Sequence, residues 1–330
     1  MHILETLKRR ATAIGGSIVL PESHDQRTLA AAASLAGQKI ARVILLGEPA
    51  EVTNNAAQLG ADISSCTIIN PVKSTELEDF AETFHQRRKE KGVSKEQALE
   101  TMKNPLYFGA MMVKKGLAGG MVAGAANTTA DVLRAALQVV GVMPGLKTVS
   151  STFIMVSPRA GDPTYLFADC AVVPNPDSEQ LADIANSTAI TRRSILGDEP
   201  FVALLSFSTK GSADHELAEK VRVAKSILDA RKVDFAYDGE LQLDAAIVPK
   251  IAKSKAPDSS VAGHANTLVF PDLQAGNIGY KLVQQLGGYE AIGPIIQGLA
   301  APICDLSRGC SAEDIVNTAI LVLLMAKNLK

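Results

Sequence analysis

SIVLPESHDQRTLAAAASLAGQKIARVILLG, residues 17–47, reads as one strand–helix–strand unit. Ser17-Ile18-Val19-Leu20 is a short apolar run of the kind found in buried strands, and Pro21 closes it. Residues 26–37 are rich in helix formers and end on Gly37, while 41–47 (ARVILLG) supply the next strand. Two such strands joined by a helix lie parallel, with the helix covering one face. The rhythm continues with a strand at 65–71, a strongly charged helix over 75–91, and the glycine-bounded strand GGMVAGA (119–125). That strand leads into a helix carrying Asp131 and Arg134. An α/β fold follows, with a parallel sheet covered by helices on both sides, a three-layer α/β/α domain. The second half changes character. Residues 148–157 and 164–174 flank the turn-rich RAGDP and read as an antiparallel hairpin. Helices are expected at 178–195 and 214–230, strands at 201–208 and 267–271, and a helix start at 276–286. A boundary near 146 divides the chain into 1–145 plus 294–330, and 146–293, with the last helix returning to the first domain.

At 330 residues the chain suits two domains. A net charge of −2 argues against a general nucleic-acid binder. No apolar run is long enough to span a membrane, and the N-terminal residues lack the order of a signal peptide. The four cysteines (66, 170, 304, 310) form no CxxC, which favours a reducing cytoplasm. The five histidines (2, 24, 85, 215, 264) never take helical ligand spacing, so no metal site is expected. GxGxxG after the first strand, GxxxxGK[ST], GxSxG and HExxH are all absent, which removes the commonest nucleotide and hydrolase sites.

Two stretches carry chemistry. DLSRGCSAEDIV (305–316) contains Ser311-x-x-Asp314, a capping-box pattern before an apolar run. It also gathers Ser307, Arg308 and Asp314 around a helix N-terminus, where anions bind readily. GAANTTADVLR (124–134) reads either as an ordinary strand–loop–helix joint or as a phosphate or carboxylate cradle of N–H groups, the Thr129 hydroxyl and Arg134. QRRKEKG (86–92) reads first as a solvated helix face. KGSADHE (210–216) and FPDLQAGNIGYK (270–281), with Asn277 and Lys281, sit at strand C-termini, where such folds place ligands.

VLPESHDQRTLAAA (19–32), GAANTTADVLR, LSFSTKGSA (205–213), DGELQLDAAIVPKIAKSKAP (238–257), VFPDLQAGNIGYK (269–281) and GPIIQGLAAPICDLSRGCSAEDI (293–315) together resemble phosphate acetyltransferases, from about residue 15 to the C-terminus. The resemblance implies two domains of the isocitrate/isopropylmalate dehydrogenase type with a cleft between them. It also implies a homodimer, no tightly bound cofactor, and acyl exchange between coenzyme A and inorganic phosphate. Acetyl-CoA and acetyl phosphate are the other reactants. It places the catalytic serine–arginine pair on Ser307 and Arg308, the base on Asp314, and arginines for coenzyme A and phosphate on Arg88 and Arg134, with Arg87 adjacent to the former. Asn127 stands where such enzymes commonly carry His, Ala135 where they carry Pro, and RAGDP lacks a cysteine that some have. The expected reaction is direct attack of the coenzyme A thiolate in a ternary complex. A butyryl-transferring relative and a non-catalytic regulatory homologue are the alternatives.

Overall fold

The computed structural model describes residues 3–326, so His2 lies outside the described residues. These residues divide into two compact units, 1–143 with 299–330, and 144–298.

The first unit contains α1 (Ile3–Ile14), β1 (Ser17–Leu20), α2 (Gln26–Gly37), β2 (Arg42–Leu46), α3 (Pro49–Gln58), β3 (Thr67–Ile69), α4 (Leu77–Arg88), α5 (Lys95–Met102), α6 (Pro105–Lys114), β4 (Gly120–Ala123) and α7 (Thr129–Val139). The second contains β5 (Ser150–Val156), β6 (Tyr165–Ala168), α8 (Ser178–Ile195), β7 (Phe201–Leu205), α9 (Glu216–Arg231), β8 (Ala236–Leu241), α10 (Leu243–Ile247), α11 (Pro249–Lys255), β9 (Thr267–Val269), α12 (Leu273–Gly287) and β10 (Glu290–Gln297). The chain then returns to the first unit with β11 (Ile303–Asp305) and α13 (Ala312–Ala326).

The first sheet has the order β11-β4-β1-β2-β3 and is parallel throughout. All four residues of β1 and of β4 are buried, as their unbroken apolar runs require. Consecutive residues of β4 identify the two covering layers. A β-carbon on Gly120 would strike Val322 of α13, whereas Met121 packs where one on Gly109 of α6 would lie, 2.8 Å from its sulfur. On the first face α13 packs against α1 and α2. Its residues Ala319–Met325 are all buried, which explains why this helix is apolar nearly all round.

The second sheet, β10-β5-β6-β9-β7-β8, is mixed: β10, β5 and β6 run antiparallel, and the rest are parallel. The hairpin read from 148–174 is present, but its second strand stops at Ala168 rather than 174. The cause is Asp169, whose carboxylate accepts N–H bonds from Ser151, Ala171, Val172 and Val173 and so bends the chain away from the sheet. Residues 294–297, assigned to the first domain from sequence, belong to the second sheet, because β10 stays paired with β5 as far as Gln297↔Ser150. The helix expected over 75–91 ends as α-helix at Arg88, and a short 3₁₀ turn carries 89–91 to Gly92 in the left-handed region.

Candidate active site

In the first sheet β1, β4 and β11 are neighbours and parallel, so the loops that leave their C-terminal ends meet. The loop after β1 delivers Glu22, which is 2% exposed. Its Oε2 accepts the N–H groups of Gly124 and Ala125, both at 2.9 Å. Its Oε1 accepts those of Ala126 and Asn127, together with the Asn127 side-chain amide at 2.7 Å. The 124–127 loop is therefore a carboxylate cradle, as one reading of the sequence had it, but its occupant is the protein's own glutamate. Those N–H groups are spent on holding β1 to β4.

Arg27 does similar work one turn further on. Its guanidinium donates to the carbonyls of Ala125 (2.6 Å), Arg308 (2.7 Å) and Cys310 (2.9 Å), pinning the loop after β4 to the loop after β11. Asp25, the N-cap of α2, fixes the guanidinium through paired bonds, and Arg27 holds the Asp25 carboxyl below the ordinary range.

The loop after β11 is arranged differently. Ser307, Arg308 and Gly309 are exposed, and the Arg308 guanidinium makes no hydrogen bond or ion pair among the described residues. Among the described residues Ser307 Oγ accepts only the Gly309 N–H, at 3.2 Å. The capping box is present. Asp314 Oδ2 accepts from Ser311 N–H (2.8 Å) and Ser311 Oγ (2.9 Å), and Ser311 Oγ accepts from the Asp314 N–H (3.1 Å). One oxygen of Asp314 is thus fixed by the helix start, and Oδ1 of this exposed residue takes part in no hydrogen bond among the described residues.

Thr129 is the first residue of α7. It is exposed, yet its hydroxyl reaches back to Asp305 Oδ2 at 2.5 Å, tying the start of α7 to the end of β11. Arg134, one turn along, pairs with Asp131. Tyr107 of α6 stands within electrostatic reach of both Arg134 and Arg88; burial raises its pKa and the two cations oppose the rise. The two adjacent arginines of α4 are also distinguished. Arg87 donates to the carbonyls of Gln138 (3.0 Å) and Val140 (3.4 Å) at the end of α7. Arg88 is half-buried, with its Nε unpartnered among the described residues.

Asn277 and Lys281 lie on α12 in the second unit. The Asn277 amide donates to the Cys170 carbonyl at 3.0 Å, and exposed Lys281 rests 5.9 Å from the Tyr280 ring centre. In KGSADHE the loop N–H groups are again used internally, with Gly211 donating to buried Glu240. Among the described residues no group of three or more His, Cys, Asp or Glu could hold a metal ion, and no helix is long and apolar enough to cross a membrane. Glu22, Asp25, Arg27 and Asp305 were not singled out by sequence reasoning. Their only signal was membership of the quoted stretches 19–32 and 305–316.

Comparison with known proteins supplies the family. Residues 2–323 match the family described as phosphate acetyl/butaryl transferase. The chain is 52% identical to the phosphate acetyltransferase of Thermoanaerobacterium thermosaccharolyticum, over 99% of this chain and 100% of that protein. It superposes on a phosphotransacetylase from Streptococcus pyogenes with a TM-score of 0.93 at 45% identity, covering 98% of each chain. A Salmonella typhimurium protein assigned as a 4-hydroxythreonine-4-phosphate dehydrogenase shares the fold alone, with a TM-score of 0.55 at 10% identity over 94% of this chain and 99% of that one. A shared fold and a likeness that runs from end to end lead to one statement: the chain belongs to the phosphate acetyl/butaryl transferase family, and it is an acyltransferase of the phosphate acetyltransferase kind.

Proposed function

We propose that the protein interconverts acetyl-CoA and phosphate with acetyl phosphate and coenzyme A by direct attack of the thiolate in a ternary complex. The observation that carries this reading is the contrast within one site. Glu22, Arg27 and the N–H groups of 124–127 are taken up in hydrogen bonds, while Arg308 and one oxygen of Asp314 have no partner among the described residues and Ser307 Oγ accepts a single long bond from the Gly309 N–H.

In this reading Asp314 takes the thiol proton, and the sulfur attacks the acetyl carbonyl. Arg308 and Ser307 stabilise the charge that develops on the carbonyl oxygen or the departing phosphate. A simple thiol has a pKa of about 8.5 and an aspartate about 3.9, so full proton transfer in water is uphill by about 6 kcal/mol. Arg308 and the α13 N-terminus lower that cost by stabilising a thiolate. Arg88, Arg134 and Thr129 bind the anionic portions of the substrates, and Asn277 and Lys281 are binding candidates on the second unit. No tightly bound cofactor is required.

A covalent path through cysteine is disfavoured. Burial raises the Cys310 thiol pKa, with Arg27 only partly opposing it, and a buried thiol is a poor source of thiolate. Acetyl phosphate alone should therefore leave no acetyl group on the protein. A stoichiometric cysteine adduct that forms and discharges at turnover rate, seen by mass spectrometry, would contradict direct transfer.

A homodimer accords with α12, where Ile278, Leu282 and Leu286 are each more than half exposed and fall four residues apart on one face. Sedimentation at twice the chain mass checks it. A cytoplasmic setting accords with four cysteines that form no disulfide among the described residues. The acyl preference is tested by coupled assay of thioester formation from acetyl, propionyl and butyryl phosphate. Acetyl phosphate is expected to be fastest, and an equal or greater rate with butyryl phosphate would favour the butyryl alternative.

A further inference from the structure

The proposed reaction moves two protons. The thiol gives one up, and the phosphate that leaves acetyl phosphate takes one on, because it emerges as the singly protonated dianion. The fully deprotonated trianion is a far poorer leaving group. Asp314 accounts for the first proton, and no residue assigned so far accounts for the second.

Behind exposed Thr129 lies Asp305, the last residue of β11, only 4% exposed. Its Oδ2 shares the 2.5 Å hydrogen bond with the Thr129 hydroxyl. Its Oδ1 is buried with no partner among the described residues. That oxygen fits because residue 124 is glycine: with φ at +110° it carries no β-carbon, and one placed there would lie 2.5 Å from Oδ1.

The surrounding charges do not neutralise this carboxyl. Glu22, after β1, is taken up by the 124–127 loop, and its charge disfavours a second anion nearby. Asp25 and Arg27 at the start of α2 pair with each other, as do Asp131 and Arg134 of α7. Glu313 and Asp314 at the start of α13 are exposed, and β4 carries no titratable side chain. Burial, only partly opposed by the Thr129 hydroxyl and the nearby Leu306 N–H, pushes the Asp305 carboxyl up to about 6. A buried carboxyl with one unpartnered oxygen, hydrogen-bonded to the hydroxyl of an exposed residue, can exchange a proton near neutral pH.

We propose that Asp305 is the proton store for the phosphate side of the reaction, acting through the Thr129 hydroxyl; this rests on the acyl-transfer reading above. Toward acetyl-CoA, the sulfur–carbon bond forms and the carbon–oxygen bond to phosphate breaks. The departing oxygen takes the Thr129 proton, and Thr129 takes that of Asp305. Asp305 finishes as a carboxylate and Asp314 as an acid, and exchange with solvent resets both. In the reverse direction ionised Asp305 receives the proton of the attacking phosphate. Thr129 touches the phosphate, whereas Asp305 acts only through it, as a positioning residue.

The test is Asp305→Asn, assayed as acetyl-CoA plus phosphate at saturation. Asparagine keeps the shape and can still accept from Thr129, but it cannot take up the proton that the attacking phosphate gives through Thr129. The expected result is a ~10²-fold fall in kcat with both KM values within about threefold. Wild-type kcat should rise from the acid side and level off above about pH 6, and the variant should lack that limb. Thr129→Val should lose a similar factor, and the double variant should be no worse than either single one, because the pair acts as a unit. Thr129→Val also serves alone if Asp305→Asn does not fold. A variant Asp305→Asn within threefold of wild type, a retained acid limb, or additive losses would overturn the proposal. An active wild type with an unaffected variant removes this inference only, whereas a wild type without acyl transfer removes both.

Discussion

The loops that follow β4 and β11 leave adjacent parallel strands side by side, yet they are built in opposite ways. In 124–127 every N–H group is taken by Glu22. In 307–309 the serine hydroxyl and the arginine side chain are left almost without partners. The saturated loop is scaffold: a buried carboxylate with five N–H donors is too costly to disturb during turnover. The open loop is held only by its backbone, through the Arg27 bonds to the carbonyls of Arg308 and Cys310, so its side chains are positioned without being used up. As a proposed active site it would be precise because its support is rigid, and reactive because Arg308 and one oxygen of Asp314 are left without partners among the described residues.

Substitutions should separate the two kinds of loop. Arg308→Ala, on the open side, should cost ~10²–10³ in kcat with little change in melting temperature, since the developing charge loses its nearest cation. A loss below about tenfold, measured by steady-state kinetics, would place the charge elsewhere. Glu22→Gln, on the saturated side, turns an amide donor toward N–H groups and should cost about 2–4 kcal/mol of stability. Denaturant titration checks it, and an unchanged midpoint would mean that the loop holds without its carboxylate.

Asp305 should behave in the reverse sense. Its folded pKa of about 6 lies above the ordinary value, so the folded state holds this proton more tightly than the unfolded chain does. The associated stability is present below about pH 4 and is lost as pH rises through about 6. Asp305→Asn should therefore stabilise the protein at pH 7–8, by up to about 3 kcal/mol, and the gain should vanish toward pH 4. A variant that melts lower than wild type at pH 8 would contradict this. Smallest of all, Ser311→Ala should cost ~1 kcal/mol, as for a lost N-cap, with a modest kinetic effect.

Much of the scaffold was legible in the sequence because it rests on local periodicity. Unbroken apolar runs announced β1, β2 and β4, and the Ser311/Asp314 spacing announced the start of α13. Helices α1, α3, α5, α6, α10 and α11 were not legible. For α5 the signal is a Ser94/Gln97 capping box that directly follows the basic run 86–92. The open half of the candidate site could be proposed from sequence, since Ser307, Arg308 and Asp314 are close in sequence and share one motif. The filled half was not. Glu22 lies 102–105 residues from the N–H groups it accepts, and Thr129 lies 176 from Asp305. Contacts of that separation arise from strand order, which no local pattern encodes. The roles of Arg87 and Arg88 diverge for the same reason, because only packing against the end of α7 decides which one is used up.

The most direct test of this contrast lies at Asp314, where the cap and the proposed chemistry fall on one carboxylate. Asp314→Asn keeps the side-chain shape and can still accept from Ser311 at the helix start, but it cannot take a proton. Measured on the same preparation, kcat should fall by ~10²-fold or more while thermal stability stays close to wild type. A nearly normal kcat, with or without a lowered melting temperature, would make Asp314 a helix cap alone and contradict the assignment of the open loop as the catalytic one.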